Sequence, residues 1–74
     1  METDQWGRRI RAFRKLKGFT QEGLAHQLGI SVSVLGEVER GSRALTDDLL
    51  KDISEALHIS TDELRPPDKK IERG

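Results

Sequence analysis

Apolar residues recur along the chain at the three- and four-residue spacing that is typical of amphipathic helices. The first run covers residues 3–17, where Trp6, Ile10, Phe13 and then Leu16 or Lys17 predict one apolar face. Four further helices are predicted over residues 21–28, 31–40, 46–57 and 61–64. Since no segment alternates polar and apolar positions as a half-buried strand does, the pattern predicts an all-α fold with five helices.

Residues suited to helix ends stand at the boundaries of these runs. Side chains that cap a helix N-terminus are expected at Thr3, Thr20, Ser31, Thr46 and Ser60. Ser60 is followed three positions later by Glu63, which predicts a reciprocal capping box. The first three helices are expected to end at Gly18, Gly29 and Gly41.

Two of these helices form a tight corner over residues 21–40, QEGLAHQLGISVSVLGEVER. Gly29 accepts the positive φ that a sharp turn between helices needs, and Ala25 is small enough to let the helices cross closely. The inside of the corner is predicted to hold Leu24, Ala25, Leu28, Ile30, Leu35 and Val38. A two-helix corner of this kind can present its second helix to the major groove of DNA.

The composition limits the classes of protein to which the chain can belong. Its 74 residues suffice for one domain, and it contains no cysteine. The histidines, His26 and His58, are far apart, so no metal site is predicted. No cofactor is expected either, because a core this small has little room for a ligand pocket. No apolar run approaches the ~18 residues of a membrane span, and no signal peptide is apparent, so a cytoplasmic protein is expected. No nucleophile motif frames the serines, so an enzyme is not expected.

The formal net charge is zero, but the charges are unevenly distributed. Residues 1–43 carry eight Lys and Arg against five Asp and Glu, a net charge of +3. Residues 44–74 carry five against eight, a net charge of −3. Any attraction to nucleic acid is therefore expected to be local and to lie in the N-terminal half.

Several motifs in a fixed order resemble the Cro/repressor-type, or lambda-repressor-like, helix-turn-helix family of bacterial and phage regulators. They are RKLKG with Arg14 and Gly18, FTQEGLA, LGIS, EVERGSR and the ending LHISTDEL. The resemblance covers about residues 6–65 and implies a compact DNA-binding domain whose second and third helices form the helix-turn-helix. A domain over residues 1–65 is expected, followed by a flexible tail or the start of a linker over residues 66–74.

The resemblance assigns a structural role to Arg14 and Glu39. It implies a partly buried, bidentate ion pair that ties helix 1 to helix 3, with an exposed ion pair as the alternative. It also implies that Gln21, at the N-terminus of helix 2, donates hydrogen bonds to a DNA phosphate. An ordinary first helical residue is the alternative interpretation of Gln21.

The same resemblance places base-reading side chains on the exposed face of helix 3. The residues at those positions are Ser31, Val32, Ser33, Gly36 and Glu37. This set lacks the long amide and basic side chains that usually read base edges, so specificity is expected to depend on few contacts, on DNA shape or on partners. Contacts to the DNA backbone are expected at Arg40, Ser42 and Arg43, unless these residues form only a solvated loop.

The implied function is sequence-specific DNA binding by a transcriptional regulator, with a repressor expected. A single small domain reads a short half-site, so a homodimer on double-stranded DNA is expected. Candidate pairing residues are Leu45, Leu49, Leu64 and Ile71, each of which could equally belong to the core or the tail. The zero net charge and the acidic fourth helix leave open a protein-interaction module, antitoxin-like or co-regulatory, with weak DNA binding. A third possibility is one domain of a longer regulator, with a linker that begins near RPPDKK.

Overall fold

The computed structural model describes residues 2–66, with side chains from Gln5 onward. Within this range the chain folds as five α-helices and contains no strand, which confirms the predicted all-α architecture. The helices are α1 (Glu2–Leu16), α2 (Gln21–Leu28), α3 (Val32–Arg40), α4 (Asp47–Leu57) and α5 (Thr61–Leu64). The predicted tail, apart from Pro66, lies outside the described residues.

The bounds of α1 differ from the prediction at both ends. The helix begins at Glu2, so Thr3 already has a helical backbone and does not precede the helix as an N-cap. At the other end the helix stops at Leu16, because Gly18 adopts φ 84° and the chain turns back. Leu16, the last residue of α1, lies away from the face of Ile10 and is 75% exposed, whereas Phe19 packs against the core.

The other predicted N-caps are present and close the first turns of their helices. Thr20, Ser31 and Thr46 each accept a hydrogen bond from the backbone N–H three residues later, at distances of 2.9 to 3.1 Å. Ser60 and Glu63 form the predicted capping box, with distances of 3.1 and 3.2 Å. Replacing an N-cap with Ala typically costs ~1 kcal/mol, so these caps help to define where α2 to α5 begin.

The turn between α2 and α3 depends on Gly29. This residue adopts φ 74°, in the left-handed region, and its N–H donates to the carbonyl of His26 at 3.1 Å. The N–H of Ile30 donates to the carbonyl of Ala25 at 3.0 Å, and Ile30 packs against the core. These two bonds close the C-terminus of α2 and direct the chain into α3.

The core lies where all five described helices meet. The first helix, α1, packs on α3; α2 packs on α3 and α4; and α5 packs on α1 and α4. The fully buried large side chains come from every helix: Ile10, Leu24, Leu35, Val38, Ile53, Leu57 and Leu64. The position of α3 is thus set from two sides, by α1 and by α2.

Three of the predicted pairing residues lie in the described range. Leu64 is fully buried, so its assignment to a pairing surface is wrong: α5 packs between α1 and α4 and turns this side chain into the core. Leu45 and Leu49 are half-buried and pack against the core. The fourth candidate, Ile71, lies outside the described residues.

A close approach between α1 and α3 occurs at Gly7. A Cβ atom at this position would lie 2.4 Å from the carbonyl oxygen of Val38 and 2.6 Å from that of Glu39. No side chain fits between the two backbones, so α1 contacts the C-terminal end of α3 directly. This contact places the cationic residues of α1 beside α3.

Candidate nucleic-acid interface

The two sides of α3 have different surroundings. Leu35 and Val38 are buried against the rest of the domain. Ser31, Val32 and Ser33 are exposed at the N-terminal end of the helix, with Val32 at 39% exposure. The packing that buries one side of α3 therefore leaves its N-terminal end open to solvent.

Arg14 and Glu39 hold α3 against α1. Arg14 Nε donates to Glu39 Oε2 at 2.7 Å, and Nη2 donates to Oε1 at 3.2 Å. Arg14 Nη1 donates to the carbonyl of Phe19 at 3.0 Å, so each guanidinium nitrogen has a partner. Both residues of the ion pair are buried, at 7% and 6% exposure, and the pair thus defines the geometry between the two helices.

Gln21 is attached to the same ion pair. Its Nε2 donates to Glu39 Oε1 at 3.1 Å, and the residue is half-buried. Gln21 is also the first residue of α2, where backbone N–H groups have no partner within the helix. The side chain is therefore oriented by Glu39, while the helix N-terminus next to it can attract an anion.

Gly36 is buried, in contrast to the exposed position on the base-facing side that the sequence predicts. A Cβ atom at this residue would lie 3.2 Å from Arg40 Nη1 and 3.6 Å from Gln21 Nε2. The physical reason for the difference is the missing side chain. It allows Arg40 to fold back along α3, so that Arg40 and Gln21 both lie close to the space that a side chain of residue 36 would occupy.

These side chains surround a cleft of about 370 Å³ between α1, α2 and α3. The cleft is lined by Arg11, Arg14, Gln21, Gly36, Glu39 and Arg40. Because the charges of Arg14 and Glu39 compensate each other, Arg11 and Arg40 make the cleft positively charged. The sequence prediction missed Arg11, although its position three residues before Arg14 places it on the neighbouring turn of the same helix side.

Glu37 and Arg43 contact each other, although the sequence assigns one to base edges and the other to the DNA backbone. Arg43 Nε donates to Glu37 Oε1 at 2.7 Å, and the two side chains are 49% and 39% exposed. Ser42 lies beside them, and its N–H and Oγ donate to the carbonyl of Glu37 at 2.9 and 3.3 Å. The ion pair connects the outer side of α3 to the following loop and partly neutralises Arg43.

Among the described side chains, no three His, Cys, Asp or Glu residues come together as metal ligands. No helix within residues 2–66 has the length and apolar character needed to cross a membrane. The candidate site consists of the exposed end of α3 and the cations around the cleft.

A short helix, a glycine turn and a second helix with one exposed side, flanked by cations, define a helix-turn-helix DNA-binding domain. The model of the helix-turn-helix family HTH_3 matches residues 10–64, most of the chain. The chain belongs to this family of DNA-binding transcription regulators, as its motifs indicated.

A relative and two solved structures show how far the similarity extends. HTH-type transcriptional regulator YazB of Bacillus subtilis (strain 168), described as uncharacterized, is 62% identical over 69 residues, which cover 93% of this chain and 100% of the relative. The restriction-modification controller protein C.AhdI from Aeromonas hydrophila is 37% identical, with a TM-score of 0.80 over 84% of this chain and 94% of that one. The clp gene regulator ClgR from C. glutamicum is 31% identical, with a TM-score of 0.84 over 86% and 83%. The lambda-repressor-like fold is thus shared along most of the chain.

Proposed function

We propose that the protein binds specific sites on double-stranded DNA through α3 in the major groove, and that it acts as a repressor. The supporting observation is the orientation of α3. Its inner side is held by the buried Arg14–Glu39 pair, and its N-terminal end exposes Val32 and Ser33 to solvent next to a positively charged cleft. The major groove of B-DNA admits an α-helix that presents its contact residues in this way.

Contacts to DNA phosphates are assigned to the N-terminus of α2 and its surroundings. The backbone N–H groups there and the Gln21 amide bind one phosphate, and Arg40 adds positive charge. Arg40 and Gln21 already lie on the same side of Gly36, so the contact needs no large rearrangement of these side chains. Ser42 extends the backbone contact beyond the end of α3.

Base readout is assigned to the exposed end of α3. Val32 is suited to a thymine methyl group, and the hydroxyl groups of Ser31 and Ser33 can donate or accept a hydrogen bond. Glu37 and Arg43 contact the DNA as an ion pair, because Arg43 donates a hydrogen bond to Glu37 within the domain. Few direct contacts result, and sequence-dependent DNA shape contributes the remaining specificity.

A homodimer is part of the proposal, because one domain of this size covers only a short half-site. Two copies on half-sites one helical turn apart each place α3 in the major groove. The half-buried Leu45 and Leu49 remain candidates for the pairing surface, since Leu64 belongs to the core. Repression follows when the bound dimer occupies DNA that the transcription machinery requires.

The proposal is tested by selection from a pool of randomised DNA duplexes with the 74-residue chain at two salt concentrations. Enrichment of one two-fold symmetric motif at both concentrations is expected. Ser33→Ala should weaken binding to the enriched duplex by ~1 kcal/mol, the typical contribution of one hydrogen bond. Lys51→Ala, at an exposed position of α4, is the matched control and should have no effect. If no duplex is enriched, the alternative of a protein-interaction module with weak DNA binding replaces the proposal.

A further inference from the structure

A row of basic residues on α1 is not used by the DNA contacts proposed above. Arg8, Arg11 and Lys15 are exposed and follow one another at spacings of three and four residues, so they share one side of the helix. We refer to these three residues as the α1 basic face. Ile10 is buried on the core side of α1, and Arg14 is buried against α3, so the direction of this face is set by the packing of the domain.

The α1 basic face is continuous with the cleft at the N-terminus of α2. Arg11 lines that cleft together with Gln21 and Arg40. Arg11 also lines a second, shallow depression with Ala12 and the other two residues of the α1 basic face. The positive surface therefore runs without interruption from the C-terminal end of α3 onto the outer side of α1.

Arg11 and Lys15 differ from three arginines elsewhere in the domain in what their side chains contact. Arg9, Arg14 and Arg43 each donate a hydrogen bond to another residue. The side chains of Arg11 and Lys15 form no hydrogen bond or ion pair with any described residue. Lys15 lies in the last turn of α1, where the helix dipole favours a cation. Arg11 lies further from the helix end, and a like charge four positions away destabilises a helix slightly, so the stability of α1 does not explain Arg11.

We propose that the α1 basic face binds phosphates of the DNA segment that flanks the segment contacted by α3; this rests on the proposed function. Continuity with the phosphate site at α2 is the reason to assign DNA as the partner. Four residues of an α-helix rise ~6 Å, so Arg11 and Lys15 can reach separate phosphates. Because phosphates are present at every sequence, the face adds affinity without reading bases and lengthens the DNA covered by each domain. This contribution compensates for the few base contacts of α3.

The experiment compares two duplexes: the motif enriched by selection, and the same motif extended by about half a helical turn, ~5 base pairs, on each side. The variant Arg11→Ala/Lys15→Ala removes two exposed cations and leaves good helix formers in α1. The variant Lys51→Ala/Arg65→Ala removes the same charge from exposed positions elsewhere and serves as the matched control. Circular dichroism checks that both variants are folded.

The wild-type protein and the control are expected to bind the extended duplex more tightly than the short one, and the α1 variant is expected to lose most of this gain. On the extended duplex, the slope of log affinity against log salt should become shallower by about 2 for the α1 variant, since each phosphate contact contributes ~0.9. The affinity ratio between wild type and α1 variant should then fall about tenfold between ~50 and ~200 mM salt.

Two other outcomes separate the inference from the proposed function. If the α1 variant and the control keep the same slope and the same gain from the flanks, the inference is overturned, while DNA binding through α3 stands. If the wild-type protein itself binds neither duplex, both proposals are overturned.

Discussion

Two exposed helix surfaces of this domain carry opposite charge. The α1 basic face continues into the cationic cleft beside α3, whereas the exposed side of α4 carries Asp48, Asp52 and Glu55. A shallow cleft between α2 and α4 has Asp52 and Glu55 in its lining. The zero net charge of the chain thus results from separated charges of both signs. The net charge of the whole molecule therefore says little about one binding surface, because electrostatic attraction between exposed charges acts over about a Debye length, ~8–10 Å.

The two surfaces also differ in how the structure supports them. Beside the cationic cleft, Glu39 organises Arg14 and Gln21, and Gly7 lets α1 contact α3 directly. On the acidic side, Asp52 and Glu55 are exposed, and their side chains have no hydrogen bond or ion pair with a described residue. Substitutions are therefore expected to have large effects on stability on the cationic side and small ones on the acidic side.

The largest expected effect is that of Glu39→Ala, which leaves the buried Arg14 without its counter-charge. Breaking one side of a buried ion pair costs ~3–5 kcal/mol, and a domain of this length has a stability on the order of 4–11 kcal/mol. Urea denaturation followed by circular dichroism measures the loss. Asp52→Ala is the control on the acidic side and should change the free energy of unfolding by less than ~0.5 kcal/mol. Equal effects of the two substitutions on the free energy of unfolding would contradict the expected difference between the two surfaces.

Gly36→Ala is expected to change stability and DNA binding in opposite directions. Alanine stabilises a helix interior by up to ~1 kcal/mol relative to glycine, so the thermal midpoint should rise. The new Cβ would lie 3.2 Å from Arg40 Nη1, so it displaces a flexible side chain from the cleft and DNA affinity should fall. In the background Arg40→Ala the same substitution should leave binding nearly unchanged, because the displaced group is already absent. A rise in both stability and affinity in the wild-type background would show that the Arg40 side chain does not have to lie close to Gly36 for DNA binding.

Arg40→Ala is expected to weaken DNA binding mainly at low salt. Loss of one phosphate contact makes the slope of log affinity against log salt shallower by ~1. Arg65→Ala removes an equal charge from an exposed residue paired with Asp62 and should leave the slope unchanged. Titrations of one labelled duplex at several salt concentrations provide both slopes. Identical slopes for the two variants would indicate that Arg40 affects DNA binding only through the net charge of the protein and does not contact a phosphate.

Glu37→Gln is expected to have the smallest effect. The ion pair with Arg43 is largely exposed, so stability should change by less than ~0.5 kcal/mol. Binding to all duplexes should strengthen slightly, because Arg43 is no longer neutralised by the carboxylate. Affinities for a panel of duplexes with single base changes measure this effect. A loss of affinity confined to one cytosine-containing position would instead show that Glu37 itself contacts that base.

The part of the fold that the sequence predicted is the part that local chemistry determines. The N-caps Thr20, Ser31 and Thr46 bind backbone groups three residues away, and Gly29 ends α2 within its own turn. These signals need no knowledge of the tertiary structure. Four of the helix starts followed from them, and the all-α class followed from the helical spacing of the apolar residues.

The features that the sequence did not predict depend on which segments meet in space. Gly7 is small because the carbonyls of α3 lie against it, and Leu64 is buried because α5 packs between two helices. In the candidate site, the burial of Gly36 beneath Arg40 arises from two side chains that converge from different helices. The Glu37–Arg43 contact likewise depends on the path of the loop after α3.

Mapping of backbone amide chemical shifts during titration with the enriched duplex tests the central claim most directly. DNA binding through α3 and the cationic cleft predicts the largest shift changes at Gln21, Val32, Ser33 and Arg40. The amide shifts of Asp48, Asp52 and Glu55 on α4 should stay unchanged. The largest changes on α4, with little change along α3, would contradict the account.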